Sequence, residues 1–139
     1  MARKIGAVVA GILVVGIVVL GLQSVAAALH PLPEGIDPMA EEDAEAFTAH
    51  LAAMPVISWA LAFASELVGA FLGGLTAGWI ARDRARVFSG AIIGFALLAS
   101  VTNWVSFEHP MWFIVGQLVG YPVALVGVWT LLGWREAQG

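Results

Sequence analysis

One acidic residue lies where an acid is least welcome. Glu66 falls near the middle of a long apolar stretch, Pro55–Ala81, roughly 16 Å from its start for a helix rising about 1.5 Å per residue. A charged carboxylate at the centre of a hydrocarbon layer costs on the order of 3 kcal/mol or more, so such groups face protein or a water-filled cavity. Helical spacing puts Glu66 on one face with Ala62, Gly69, Ala70 and Gly73, which turns it towards other helices. Two uses follow: reversible binding of a proton or cation, or a neutral acid donating one interhelical hydrogen bond. Candidate partners rank by depth. Tyr121 lies at the level of Glu66 in a later apolar stretch, and Gln117 is one turn further out. Gln23 and Ser24, and Thr102 and Asn103, come from two further stretches near the same end, while the opposite half is apolar apart from Thr76 and Thr130. The pattern predicts a polar cluster that opens to one side and ends at Glu66, a pocket rather than a through-pore. Pro122, beside Tyr121, removes a backbone donor and frees a carbonyl in its helix.

A second set of residues has the chemistry of a metal site. His30, His109 and Glu108 fall at the same end as the polar cluster, with His50 and Asp37. Histidine with carboxylate suits zinc, but the spacing fits no standard ligand pattern. His30 and His109 are each followed by proline, so each also reads as a junction between helix and loop. The set is a weak candidate. No cofactor signature is legible, and none is expected.

These residues must be positioned by four apolar stretches: Ile5–Leu29, Pro55–Ala81, Val87–Val105 and Trp112–Trp134. Each is long enough for a hydrocarbon core of about 30 Å, which takes about 20 helical residues. Only 12% of the 139 residues are charged, against about 25% in a typical soluble domain. The expected fold is therefore all-α, a four-transmembrane-helix up-down bundle spanning residues 1–139 as a single integral membrane domain. The apolar run Ile5–Leu22 exceeds the roughly 7–15 residues of a signal-peptide core, so the first stretch is expected to stay as a helix. No cysteine is present, which removes disulfide and thiolate chemistry.

The six basic residues decide the orientation. Arg3 and Lys4 precede the first stretch, Arg82, Arg84 and Arg86 join the second to the third, and Arg135 follows the fourth. Basic residues collect in cytoplasmic loops, so both termini are expected inside. The arginine turn also offers anionic lipid headgroups a contact. Tryptophans reinforce the frame: Trp59, Trp104 and Trp112 near the outer ends, and Trp79, Trp129 and Trp134 towards the inner ends, as expected of amphipathic rings at an interface. With a net charge of −4 and no basic domain, nucleic-acid binding is excluded.

The one long connection, residues 30–54, lies outside. Asp37-Pro38 reads as an N-cap followed by proline at the first helical position, with Glu41, Glu42, Asp43 and Glu45 close behind. The expectation is a short amphipathic helix over roughly Pro38–Ala53, lined by Met39, Phe47, Leu51 and Met54. It would lie on the membrane surface or over the bundle mouth, as a docking surface or a lid. Small residues then set helix packing: Gly69 and Gly73 on the second helix, Gly90 and Gly94 on the third, Gly116 and Gly120 on the fourth. Lipid supplies no hydrophobic drive, so close backbone approach must. The main expectation is packing within the chain, with self-association as the alternative.

At His30-Pro31-Leu32-Pro33, at Gly69-Ala70-Phe71-Leu72-Gly73-Gly74, and at Asn103 followed by His109-Pro110-Met111-Trp112-Phe113, the chain resembles a scattered group of uncharacterised small four-pass bacterial inner-membrane proteins. The likeness covers most of the chain through short motifs, and Glu66 stands outside it. It implies a bacterial inner-membrane location and the same four-helix plan, and it carries no activity. The sequence alone favours a non-enzymatic accessory or scaffold subunit. Its partners would be the lipid bilayer and either other membrane subunits or a second copy. The alternative is a small oligomeric transporter or proton- or cation-binding protein centred on Glu66. Less favoured is an outer-face metal protein or intramembrane enzyme.

Overall fold

The computed structural model describes the backbone of residues 1–138 and the side chains of residues 1–133. The chain is all-helical. Helix α1 runs Ala2–Leu29, a single 3₁₀ turn covers Glu41–Asp43, and α2 spans Ala44–Ala52. Helices α3, α4 and α5 follow at Val56–Ala81, Ala85–Ser106 and Met111–Gln138. Four of these, α1, α3, α4 and α5, are long and apolar enough to cross a membrane. Their ends lie within a few residues of the sequence expectation, with the third extended by two residues at its start. Trp134 and Arg135 lie beyond the described side chains.

The bundle is not a symmetric square. Helix α3 is its axis, packed by α1, α4 and α5, while α1 makes no contact with α5 among the described residues. The cause is small residues on α3. Gly73 meets α1 so closely that an added Cβ would sit 2.7 Å from the Gly11 carbonyl oxygen, a backbone atom that cannot swing aside. Gly69 faces Val15 and Val19 on the same helix, and Gly74 faces Ile93 of α4. Such close approach maximises dispersion contact where lipid provides no hydrophobic drive. On the other flank, α4 and α5 close a core around Ala70, Ile93, Ala96, Tyr121, Val128 and Leu132.

The remaining glycines divide. Gly116 accommodates the Phe63 ring and Gly120 the Leu67 side chain, so α5 takes knobs from α3. Gly90 has only Trp129 and Leu125 at the edge of contact, and Gly94 has nothing within 4 Å. Gly94 therefore does not pack, contrary to the sequence expectation. It is exposed, because the buried stripe of α4 runs through Ser89, Ile92, Ile93, Ala96 and Ser100. Gly11, not expected, carries the α1 side of the closest crossing.

At the end opposite the arginine turn, α2 differs from its expected start. Asp37 does not cap a helix beginning at Pro38. Its side chain accepts from the Met39 N–H at 2.9 Å and its own N–H donates to the Asp43 carboxylate at 2.8 Å. Those bonds close a local turn of the kind Asp favours, and Ala40 is extended (φ −85°, ψ 130°). The helix can begin only after it. Phe47, His50, Leu51 and Met54 then face inwards, half-buried, and the acidic residues Glu41, Glu42 and Glu45 stay exposed. Phe47 packs edge-on against Phe107 with centroids 5.4 Å apart, and His50 stacks on His30 at 4.1 Å. Helix α2 is a cap tied to the ends of α1 and α4.

Candidate functional site

Helices α3 and α5 run parallel, and Glu66 and Tyr121 each follow the first residue of their helix by ten positions. They reach the same depth and are linked by a serine that the sequence reading passed over. Ser100 of α4 donates to Glu66 Oε2 and lies 2.6 Å from the Tyr121 hydroxyl, which is itself 3.3 Å from the Ala96 carbonyl. Gln117 Nε2 donates to the same Glu66 oxygen at 2.9 Å, and Gln117 Oε1 accepts from the Trp104 indole at 2.9 Å. An indole can only donate. Trp104 therefore fixes the amide of Gln117 with its nitrogen towards Glu66. Glu66, Ser100, Gln117 and Tyr121 are all buried, Glu66 at 8% exposure.

This chain accommodates Glu66 in either protonation state. With the carboxylate ionised, Ser100 donates to it and Tyr121 donates to Ser100. With the carboxyl protonated, Glu66 donates to Ser100, Ser100 to Tyr121, and Tyr121 to the Ala96 carbonyl. Every hydroxyl proton has an acceptor in both arrangements, so a change of charge leaves no buried donor stranded. Only Oε2 is engaged in this way. Oε1 accepts no hydrogen bond from a described residue, yet no buried side-chain oxygen or nitrogen among them is both sealed and unpartnered. Oε1 is thus open to the space beside it.

That space is real. A cavity of about 500 Å³ lies between α1 and α4, walled by Val15, Gly16, Val19, Phe95 and Ala99 and floored by Glu66, Ser100 and Tyr121. A second, of about 330 Å³, lies under α2, among His30, Phe47, His50, Trp59, His109 and Phe113. Gln23, Glu66, Asn103 and Phe107 line both, so the Glu66 side chain borders each of them. Ligand pockets typically hold about 300–1,000 Å³ with few polar groups on apolar walls. The α1–α4 cavity exists because Gly11 lets α1 touch Ile92 of α4 near the arginine end, after which the two helices part.

His30 and His109 are tied to backbone carbonyls, and His109 also to Asn103. His109 Nδ1 lies 2.7 Å from the Phe107 carbonyl and must donate to it. Its Nε2 then carries the lone pair and accepts from Asn103 Nδ2 at 3.4 Å. This leaves Asn103 Oδ1 without a hydrogen bond to a described residue, on a side chain that lines both cavities. His30 Nε2 donates to the His50 carbonyl at 3.1 Å. Burial, and then the neighbouring His30, hold the His50 imidazole below its ordinary pKa. Among the described residues, no three His, Asp or Glu side chains are placed to hold a metal ion. His30, His109 and Glu108 are therefore not assembled into the ligand set considered from sequence.

At the other end, Arg82, Arg84 and Arg86 are exposed on the α3–α4 turn. Asp83, between them, pairs with Arg3 at 2.7 Å. That Arg3 hydrogen bond holds the Asp83 carboxyl below the usual carboxylate range. The pair ties the start of α1 to the turn, although an ion pair this exposed contributes little to stability.

Compared with protein-family models, with curated proteins and with solved structures, the chain matches none. Its class rests on its own features: four apolar helices long enough to span a membrane, bundled around α3, make it an all-α multi-pass membrane protein.

Proposed function

We propose that the protein binds a proton or cation at Glu66, within a membrane, as the ligand-binding step of a small carrier. The observation that supports this is the state of the Glu66 carboxyl. One oxygen is held by Ser100 and Gln117, and the other accepts no hydrogen bond from a described residue, on a side chain that borders two cavities. A carboxyl serving only as an interhelical contact would have no reason to front an accessible space of ligand size. The Ser100–Tyr121 relay makes gain and loss of charge tolerable.

The test is cation binding. Methylammonium chloride titrated calorimetrically into purified protein in detergent should give a binding heat beyond that of sodium chloride at equal ionic strength. Glu66→Gln keeps the side-chain shape and should abolish it. Binding of the same size by the variant refutes the reading.

Orientation is read from the charge pattern. Arg3, Lys4, Arg82, Arg84 and Arg86 gather at one end of the bundle, which supports both termini being cytoplasmic; a bacterial inner membrane is proposed on the sequence resemblance alone. Because the chain has no native cysteine, Gly35→Cys and Arg84→Cys test the orientation directly. An impermeant maleimide on intact cells should label the first and not the second, and the reverse result would invert the topology.

A second reading, the accessory subunit, has one observation behind it. Helix α1 is the least covered long helix, with only 11% of its apolar window buried and Ile5, Val9, Leu13, Ile17 and Leu20 exposed. A partner helix could cover that face, as could a second copy. The glycine stripes do not add to this reading, since Gly69, Gly73, Gly74, Gly116 and Gly120 meet side chains of the same chain. Native mass measurement after mild extraction separates the cases, and a bare monomer removes the accessory role.

A further inference from the structure

We infer that the ligand is an amphiphilic primary amine that enters sideways from the bilayer between α1 and α4. This rests on Glu66 being a cation site and adds the ligand's chemistry and route. Three residues with an acceptor to offer line both cavities. Glu66 Oε1 is open, and Asn103 Oδ1 is left over by the His109-imposed orientation of its amide. Gln23 makes no side-chain hydrogen bond to a described residue and lines both spaces. A primary ammonium offers three donors, which matches this set. A hard metal cation would ask for about six to eight oxygen ligands. Phe107, lining both cavities, adds a ring face that favours an organic cation.

The walls specify the rest of the molecule. Below the polar rim, the α1–α4 cavity is lined by Val15, Gly16, Val19 and Phe95, a surface for an alkyl chain and not for a small hydrated ion. Its flank is open, because Phe95, Ala99 and Thr102 of α4 are exposed on a helix that spans the membrane. The opening therefore faces acyl chains. An amphiphile already dissolved in the bilayer reaches Glu66 without crossing water, and the α2 cap need not move to admit it.

The probes are octylammonium, its neutral twin octanol, and methylammonium, titrated calorimetrically into protein in lipid nanodiscs with empty nanodiscs as the blank. Octylammonium should bind at least about tenfold more tightly than methylammonium, as expected if several chain CH₂ groups are buried. Octanol should bind more weakly than octylammonium. Glu66→Gln should lower octylammonium affinity about thirtyfold or more, the usual consequence of removing one member of a desolvated charge pair. Gly16 has open space where a Cβ would stand, so Gly16→Phe should fill the cleft without displacing neighbours. It should reduce the octylammonium-to-methylammonium affinity ratio about tenfold. Gly21, also open but outside both cavities, provides the control, and Gly21→Phe should leave the ratio unchanged.

Equal affinities for the two amines, or a ratio untouched by Gly16→Phe, would overturn the amphiphile and its lateral route. If methylammonium binding still required Glu66 in that case, the cation site would stand. Binding of both amines that persisted in Glu66→Gln would overturn the two readings together.

Discussion

The Ser100 hydroxyl is the joint of the buried network, and its removal should cost more than removal of the Tyr121 hydroxyl beside it. Ser100→Ala deletes the bond to Glu66 and the bond to Tyr121, leaving Tyr121 with the Ala96 carbonyl at 3.3 Å and Glu66 with Gln117 at 2.9 Å. Tyr121→Phe leaves the Ser100–Glu66 bond intact. Both substitutions nearly conserve volume, so cavity terms are small. A hydrogen bond to a charged group contributes about 1.5–3 kcal/mol and a neutral one about 0.5–1.5. Measured averages inside membranes are nearer 0.6, with a maximum of about 1.7. The expected losses are therefore about 1.5 kcal/mol for Ser100→Ala and about 0.5 for Tyr121→Phe. The two substitutions share one bond, so the double variant should fall short of their sum by about 0.5 kcal/mol. In a Glu66→Gln background the charge is gone, and the cost of Ser100→Ala should drop to about 0.5 kcal/mol. The assay is reversible unfolding in mixed micelles titrated with dodecyl sulfate, followed by far-ultraviolet circular dichroism. A larger loss for Tyr121→Phe, strict additivity, or a Ser100→Ala cost indifferent to Glu66→Gln would each refute the reasoning.

Two further outcomes follow from the packing and the cap. Gly73→Leu places its Cβ 2.7 Å from the Gly11 carbonyl oxygen and must push α1 off α3, a loss of about 1–3 kcal/mol or more in the same unfolding assay. Gly94→Leu meets nothing within 4 Å and should be neutral within about 0.5 kcal/mol, so equal effects would contradict the assigned faces. The α2 cap should loosen in acid. His50 titrates below its ordinary value of 6.5 because of burial and the adjacent His30, so between those two pKa values the uncapped state binds more protons than the capped one. The cap's stability is then complete above about pH 6.5 and declines as pH falls below it. Hydrogen exchange at Ala44–Ala52, corrected for the intrinsic pH dependence, should accelerate there, and His50→Phe should flatten the response. A wild-type profile already flat would remove the titration argument.

The sequence is legible along the membrane normal and much less so around it. Depth is counted in residues, so the common level of Glu66 and Tyr121, with Gln117 one turn nearer the α2 end, could be read directly from where each apolar stretch begins. Which way a residue faces depends on packing partners that the one-dimensional pattern does not contain. Gly94 and Gly73 look alike in sequence, yet one is exposed and the other lies at the closest helix crossing. Helix α1 is apolar all round, which hides the fact that Gly11 is its contact point. The same limit explains Ser100. A serine in a spanning helix commonly bonds back to its own backbone, as Ser65 does to the Ala62 carbonyl and Ser89 to that of Arg86. Nothing in its spacing distinguishes a serine that turns to a neighbour instead, as Ser100 does and as Ser58 does towards the Ala26 carbonyl. Trp104 was legible as an interfacial ring by its depth, but its indole donates to Gln117 and so takes part in orienting Glu66. The candidate site was therefore half visible. The carboxyl and its level follow from hydropathy alone, whereas the relay, the amide orientations and the lateral opening follow from how α3 gathers three helices around itself and leaves α1 and α4 to diverge.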